Sequence, residues 1–255
     1  MCLTRADIAV YVQALQRRSQ APRAKDLKRL NLVVRFTKRK RVGIFYRRVA
    51  WPLRLTDFSD AAFKALPEDS SGLALRGSAT LLCTDGAATP VSCDGRAHLL
   101  DWTCAKHKRV MRSTFAAELN ALIDSGDRAT LIQLALYQFW YGGFDETAVV
   151  LAHKLEGGAL SPGIDCVCDA KSVFDAINAA DVGDPTESPL KLHVIALRDK
   201  LERGIIRRLW WADTRDMLAD GLTKGGIPRG ALVSASEFGE CRVAQETAVC
   251  EKRRC

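Results

Sequence analysis

The alternation of apolar and polar positions divides the chain into an opening helical stretch, a β-rich stretch, and a long region in which helices and strands take turns. Ile8, Tyr11, Val12 and Leu15 recur at helical spacing behind Thr4, which is placed to cap them, and the pattern stops near Ser19, shortly before Pro22. A second amphipathic helix is expected over residues 23–40, with Leu27, Leu30, Val33, Val34 and Phe36 set among basic residues. After Gly43 the texture changes to short β-rich runs: a connecting piece over 44–49, then strands over 53–59, 77–83 and 97–104, separated by turns rich in Pro, Gly and Asp. The last three read as an antiparallel meander. Residues 113–141 return to a helical period, with a break expected at Gly126, and a shorter helix is expected over 146–155. A compact apolar strand over 164–169, helices over 172–179 and 190–203, a strand over 205–212 and a helix over 215–224 complete the pattern. Beyond Pro228 periodicity fades, so 227–255 is expected to be a loosely ordered tail. Three strands, then helices alternating with two more strands, predict an α/β fold: a mixed sheet with helices on its faces.

Composition narrows the class. With 255 residues, 47% hydrophobic and 27% charged, the chain can bury a sizeable core and is neither disordered throughout nor of low complexity. No stretch approaches the roughly 18 to 20 uncharged apolar residues of a spanning helix, and no signal-type apolar run follows the start, so no membrane association is expected. Nine scattered cysteines suit a reducing interior, hence an intracellular location, cytoplasmic or nuclear. The close pair Cys166-x-Cys168 has one intervening residue where zinc sites want two to four; residues two apart share a strand face, which predicts packed thiols.

The net charge of +8 is concentrated at one end: residues 1–50 hold 14 Lys and Arg against 2 Asp and Glu, a net of +12, and the remainder nets −4. The densest run is Lys38-Arg39-Lys40-Arg41, followed by Arg47-Arg48. A basic segment beside a mildly acidic body suits a polyanion, although such a run also serves as a solvated helix face or a localisation-like signal.

Four carboxylates fall at chosen places in the element order. Asp60 is expected to end the first strand of the meander, Glu118 to lie in the first turns of the following helix, Asp169 to close the next strand, and Asp220 to sit in the last helix. Strand ends and helix starts can converge at one edge of such a sheet, where four carboxylates repel one another unless divalent cations neutralise them. Two-metal phosphodiester hydrolysis needs that arrangement, and hard Mg2+, or Mn2+ in its place, prefers carboxylate oxygen. By spacing alone, each of these acids is also an ordinary turn or cap residue.

The strings Phe-Ser-Asp-Ala-Ala-Phe (58–63), Arg-Ser-Thr-Phe-Ala-Ala-Glu-Leu (112–119), Cys-Asp-Ala-Lys-Ser (168–172) and Leu-Ala-Asp-Gly-Leu-Thr-Lys (218–224) resemble, in order, the ribonuclease H domain of copia-type retrotransposon Pol polyproteins. The resemblance covers about 53–226. It implies a ribonuclease H-like fold that cuts the RNA strand of an RNA/DNA hybrid during reverse transcription, with Asp60, Glu118, Asp169 and Asp220 as the catalytic, metal-binding set. Leu3-Thr4-Arg5-Ala6-Asp7-Ile8-Ala9 and the 27–36 helix look like the segment that precedes the nuclease in the same polyproteins, at the end of the reverse transcriptase. Residues 1–50 are accordingly expected to be a basic helical segment of that kind, with the rest of a reverse transcriptase as its partner. The chain has no Asp-Asp pair, which that family's polymerase carries for its own metals, so DNA synthesis is not expected.

Arg112, Lys171, Ser172 and Lys224 flank the acids and are candidates to contact phosphates, against the ordinary reading of solvated or capping side chains. The chain also departs from the pattern it resembles. Ala62 stands where many relatives carry a further acid, residues 133–163 form an unexplained helical insertion, and no His lies between 205 and 224. His193, the nearest, is expected to be structural. Two readings follow: a metal-dependent nuclease, or a non-catalytic nucleic-acid-binding remnant of such a polyprotein. A strand-transferring integrase shares the carboxylate logic but fits the four strings poorly.

Overall fold

The computed structural model describes residues 5–63, 74–86, 88–108, 110–142, 146–181 and 188–251; Thr4, expected to cap the first helix, lies outside them. One six-stranded mixed sheet runs in the order β3-β2-β1-β4-β5-β6. β1 (Leu53–Ala62), β2 (Leu75–Thr84) and β3 (Ala97–Lys106) form the antiparallel meander. β4 (Gly163–Cys168) lies parallel to β1, β5 (Arg208–Ala212) parallel to β4, and β6 (Thr247–Cys250) antiparallel to β5. The mixed sheet with helices on its faces is therefore as expected.

Period-two alternation in β1 serves two cores at once. Leu53, Leu55 and Ala61 join the core beneath α3 (Thr114–Tyr141), α5 (Lys171–Asn178) and α6 (Pro189–Glu202). Phe58 joins the opposite core, with Val167 and Trp210 of the neighbouring strands, beneath α7 (Asp220–Thr223) and α8 (Gly230–Glu237). Cys166 and Cys168 share the α3 side and are buried there as packed thiols, and burial pushes both well up from the usual thiol range. α1 (Ala9–Gln16) follows a 3-10 turn at Ala6–Ile8, and Ala6 and Ala9 pack into the α7 side; α2 (Ala24–Arg39) rests on α1 and leaves Leu27, Leu30 and Leu32 exposed. α4 (Ala148–Glu156) sits within the 133–163 insertion, and no membrane-length apolar helix occurs among the described residues.

Four local expectations change. α3 runs unbroken through Gly126, which is buried beside Ile206 and Cys166; contact with the sheet outweighs the roughly 1 kcal/mol that glycine loses in a helix. The last helix contracts to a 3-10 turn at Thr214–Asp216 and the single turn α7, because Met217 between them is extended. The connecting piece over 44–49 is neither helix nor strand and pairs with no strand. The tail expected to be loose instead holds α8, whose Leu232 and Ala235 are core residues, and β6, which supplies the sheet's last edge. Segments of eight and four residues are too short to register as periodicity.

A buried charge network ties the N-terminal ends of the parallel strands. Arg54 and Asp165 are both fully buried and ion-paired at 3.1 Å; Asp165 also accepts from Arg207 Nε and Trp210 Nε1, each at 3.1 Å. Arg54 donates to the carbonyls of Gly86 (2.6 Å) and Thr89 (2.5 Å), and Asp85 pairs with Arg207 and Arg208. Shifting the register of β1, β4 or β5 would strand charges in the interior, so the network specifies the pairing.

Asp57, on the α3 side of β1, is a second buried acid. Its Oδ1 accepts from Thr80 Oγ1 at 2.8 Å, and burial, assisted by the Asp101 charge, raises its pKa from 3.8 to about 7 against the pull of Ser125, Thr80 and Arg128. An acid whose folded pKa is raised contributes stability that is complete below its unfolded pKa and lost as pH rises through the folded one. Melting at pH 5 and pH 8 should therefore show the native chain losing about 2.5 kcal/mol more than Asp57→Asn, at about 1.4 kcal/mol per pH unit from pH 5 to the folded pKa near 7; equal losses would contradict the assignment.

Candidate metal centre

The C-terminal ends of the parallel strands gather the acids. Asp60 does not end its strand as expected: β1 continues to Ala62, because Ala61 and Ala62 still find ladder partners in β2, and Asp60 sits inside the sheet opposite Gly77. Asp169 directly follows β4, held by a hydrogen bond from Trp211 Nε1 to its carbonyl (3.0 Å) and one from Thr214 Oγ1 to its carboxylate (2.9 Å). Asp220 is the first residue of α7. Glu118 lies in the second turn of α3, whose start is set by Ser113: the Ser113 side chain accepts the Ala116 N–H at 3.1 Å as an N-cap.

Asp60, Asp169 and Asp220 each present a carboxylate oxygen within 4.8 Å of the others. Glu118 stands beside them, its Oε2 accepting the Ala61 N–H at 3.1 Å, and it is within electrostatic reach of Asp60 and Asp169. Lys224 Nζ is drawn among them, 2.6 Å from Asp220 Oδ1 and 3.3 Å from Asp60 Oδ1, and Thr223 Oγ1 donates to Asp60 Oδ2. Of the residues expected to touch phosphate, then, Lys224 faces the acids. Arg112, Lys171 and Ser172 are exposed, with Lys171 lying 5.0 Å from the Phe174 and Trp211 ring centres and 3.3 Å from Asp175. His193 is half-buried on α6.

The electrostatics follow from burial and crowding. Burial, then the charges of Asp60 and Asp169, raise Glu118 to about 9; burial, then Asp60, raise Asp220 to about 7; and Asp169 is raised by the same two causes. Burial works against the Lys224 ammonium, but Asp60, Asp220 and Asp169 more than offset it and its pKa is raised. The donor set is hard oxygen throughout, and the one positive charge among these side chains is a lysine acting as internal counter-ion. This is a cage whose chemistry suits a hard divalent cation.

Four contributors escaped the sequence reading: Thr223, Thr214, Trp211 and Gly77. A Cβ at Gly77 would lie 2.7 Å from Thr223 Cγ2, 2.9 Å from Leu222 Cβ and 3.2 Å from the Ala219 carbonyl, so only glycine lets α7 sit on β2 and deliver Asp220 to Asp60. A glycine within a strand is the signal that was there to be read.

No family model matches the chain, and no curated protein sequence matches it. Solved structures to which it is similar are ribonuclease H domains. LC11-RNase H1, isolated from compost by a metagenomic approach, aligns in its complex with RNA/DNA hybrid at 14% identity over 66% of this chain and 93% of that one, with a TM-score of 0.41. A second structure of the same enzyme gives 13%, 66%, 91% and 0.38. The N-terminal RNase H domain of a Mycobacterium tuberculosis protein, fused to maltose-binding protein, gives 14%, 67%, 91% and 0.35. At these scores the likenesses carry no weight for the chemistry, which rests on the carboxylates themselves.

Gly77→Ala should push α7 off the sheet and weaken any divalent-cation binding by at least tenfold in calorimetry, with a stability cost of about 1 to 3 kcal/mol; undiminished binding would refute the role of Gly77. Protons and cations compete for the same raised carboxylates, so the affinity of the native chain for a divalent cation should rise steadily from pH 6 to pH 9, through the values near 7 for Asp220 and 9 for Glu118. A flat profile would show that these acids are not the ligands.

Proposed function

We propose that the chain is a metal-dependent endonuclease of the ribonuclease H type, hydrolysing the RNA strand of RNA/DNA hybrids. The observation that carries the reading is the convergence of Asp60, Asp169 and Asp220 within 4.8 Å, with Glu118 beside them, at the C-terminal ends of the central strands of a mixed sheet. Two Mg2+ ions, with Mn2+ as the other candidate, supply the activated water and the stabilised leaving oxygen in such chemistry. Asp60, Asp169 and Asp220 would hold them, with Glu118 completing the set. Thr223 and Thr214 orient the Asp60 and Asp169 carboxylates, and Trp211 fixes the backbone at Asp169. Lys224, which pairs with Asp60 and Asp220, would be the nearest cation to a scissile phosphate at the cage, with Arg112, Lys171 and Ser172 as outer contacts along the substrate.

The four strings support an origin in a copia-type retrotransposon polyprotein. The uncovered apolar side chains of α2, and an open groove of about 760 Å3 lined by Leu32, Phe36 and Val233 among others, support a further protein segment as partner, in this reading the rest of a reverse transcriptase. Cys83, Cys93, Cys104, Cys166, Cys168 and Cys241 are free thiols, which suits a reducing, intracellular setting.

Lys224 also favours a second reading. An ammonium already paired to two of the acids can hold the cage shut, leaving a nucleic-acid-binding remnant without catalysis. Incubation with Mg2+ and an end-labelled hybrid separates the two. The nuclease cuts the RNA strand alone and Asp169→Asn lowers the rate by at least a thousandfold, whereas the remnant binds the hybrid with steep salt dependence and cuts nothing. Cleavage that survives in Asp169→Asn would remove the assignment.

A further inference from the structure

The segment between α2 and β1 is neither helix nor strand, yet it is tied down along its length. The Phe45 N–H donates to the Ser236 carbonyl (2.7 Å), the Arg47 carbonyl meets His98 Nε2, Arg47 pairs with Glu240 at 3.0 Å, and the Ala50 N–H donates to Thr84 Oγ1 (3.1 Å). Ile44 and Val49 turn inward to pack against the two cores. Between these anchors three aromatic side chains turn outward: Phe45, Tyr46 and Trp51 are 52%, 56% and 57% exposed. Lys40, Arg41 and Arg48 are exposed among them, and residues 38–51 contain six basic side chains and no acidic one. Arg48, Trp51 and Arg96 line an open recess of about 390 Å3, and Trp51 is braced edge-on against Trp140 with ring centres 5.3 Å apart.

Leaving three large aromatic groups in water is unfavourable, and interleaving them with cations is a poor surface for an apolar protein partner. It is the composition that holds single-stranded nucleic acid: bases stack on the rings whatever their sequence, and the cations track the phosphates. The position fits as well. The strap crosses the end of the sheet opposite the acids, since β1 leads from Leu53 beside it to Asp60, roughly 23 Å at about 3.3 Å per residue. A single strand that keeps the stacked, helix-like rise of about 3.4 Å covers that distance in about seven nucleotides.

We propose that this strap is a landing site for the single-stranded stretch that continues from a hybrid held at the acidic cage. The proposal rests on the nuclease reading for its geometry, but the strap's affinity for single strands does not depend on cleavage. The test measures anisotropy with the full chain in EDTA, so that nothing is cut. A blunt hybrid is compared with hybrids extended on either strand by about three or about twelve nucleotides, lengths that fall short of and exceed the roughly seven needed. The longer extension should tighten binding by about tenfold and the shorter should not; Phe45→Ala and Trp51→Ala should each remove most of that gain, and Trp51→Phe should keep it. Arg48→Ala should reduce the salt slope for the extended substrate by about 0.7. Melting of each variant should match the native chain, since the changed side chains are exposed. A gain equal for both extensions, or one indifferent to Phe45→Ala and Trp51→Ala, would overturn the proposal. Strap-dependent binding of a free single strand by a chain that ignores the blunt hybrid would uphold the strap and discard the hybrid reading.

Discussion

Like-charge repulsion between carboxylates at the end of the central strands is the constraint around which the rest of this molecule is arranged. Asp60 is fully buried and Asp220 nearly so, and moving each ion from water costs several kcal/mol even before they repel one another. A fold tolerates that only if something opposes it. Here the opposition is local and incomplete: Lys224 bonds Asp220 and Asp60, Thr223 and Thr214 donate to the Asp60 and Asp169 carboxylates, and Ala61 donates to Glu118. The remaining repulsion appears as proton affinity, raised in Glu118, Asp169 and Asp220 by burial and by one another's charge.

The sheet is built to hold that repulsion in place. At the other end of the same three parallel strands, the Arg54–Asp165 pair and the surrounding Asp85, Arg207 and Arg208 charges are balanced and largely hydrogen-bonded, so they fix strand register without asking for a ligand. Gly77 then allows α7 to approach β2 more closely than any side chain would permit, which places Asp220 over Asp60. One end is a satisfied polar lock and the other a deliberately unsatisfied one. The difference between them is the sign balance: three arginines face three acids, Asp85, Asp165 and Glu251, at the lock, while a single lysine faces four carboxylates at the cage.

The basic N-terminal part adds a separate electrostatic layer. α1 packs against the α7 side, and the strap runs across the end of the sheet, so the +12 of residues 1–50 is attached to the body rather than trailing from it. In the nuclease reading proposed above, that positive charge would draw a polyanion toward acids that by themselves repel phosphates.

Much of this is legible in the residues. The β-rich runs over 53–59, 77–83 and 97–104, bounded by turn residues, foretell the meander, whose strands are Leu53–Ala62, Leu75–Thr84 and Ala97–Lys106, and the four short strings name Asp60, Glu118, Asp169 and Asp220 through a family resemblance rather than through any spacing. Four-residue β6, the one-turn α7 and the uninterrupted passage of α3 through Gly126 are not legible, since each depends on what lies against it and too few residues are involved to leave a period. The pairing of Lys224 with the acids, the threonine donors and the need for glycine at 77 likewise belong to tertiary structure. They are distances between residues up to 164 positions apart, and a linear pattern records which groups are present but not which of them folding brings within a hydrogen bond of one another.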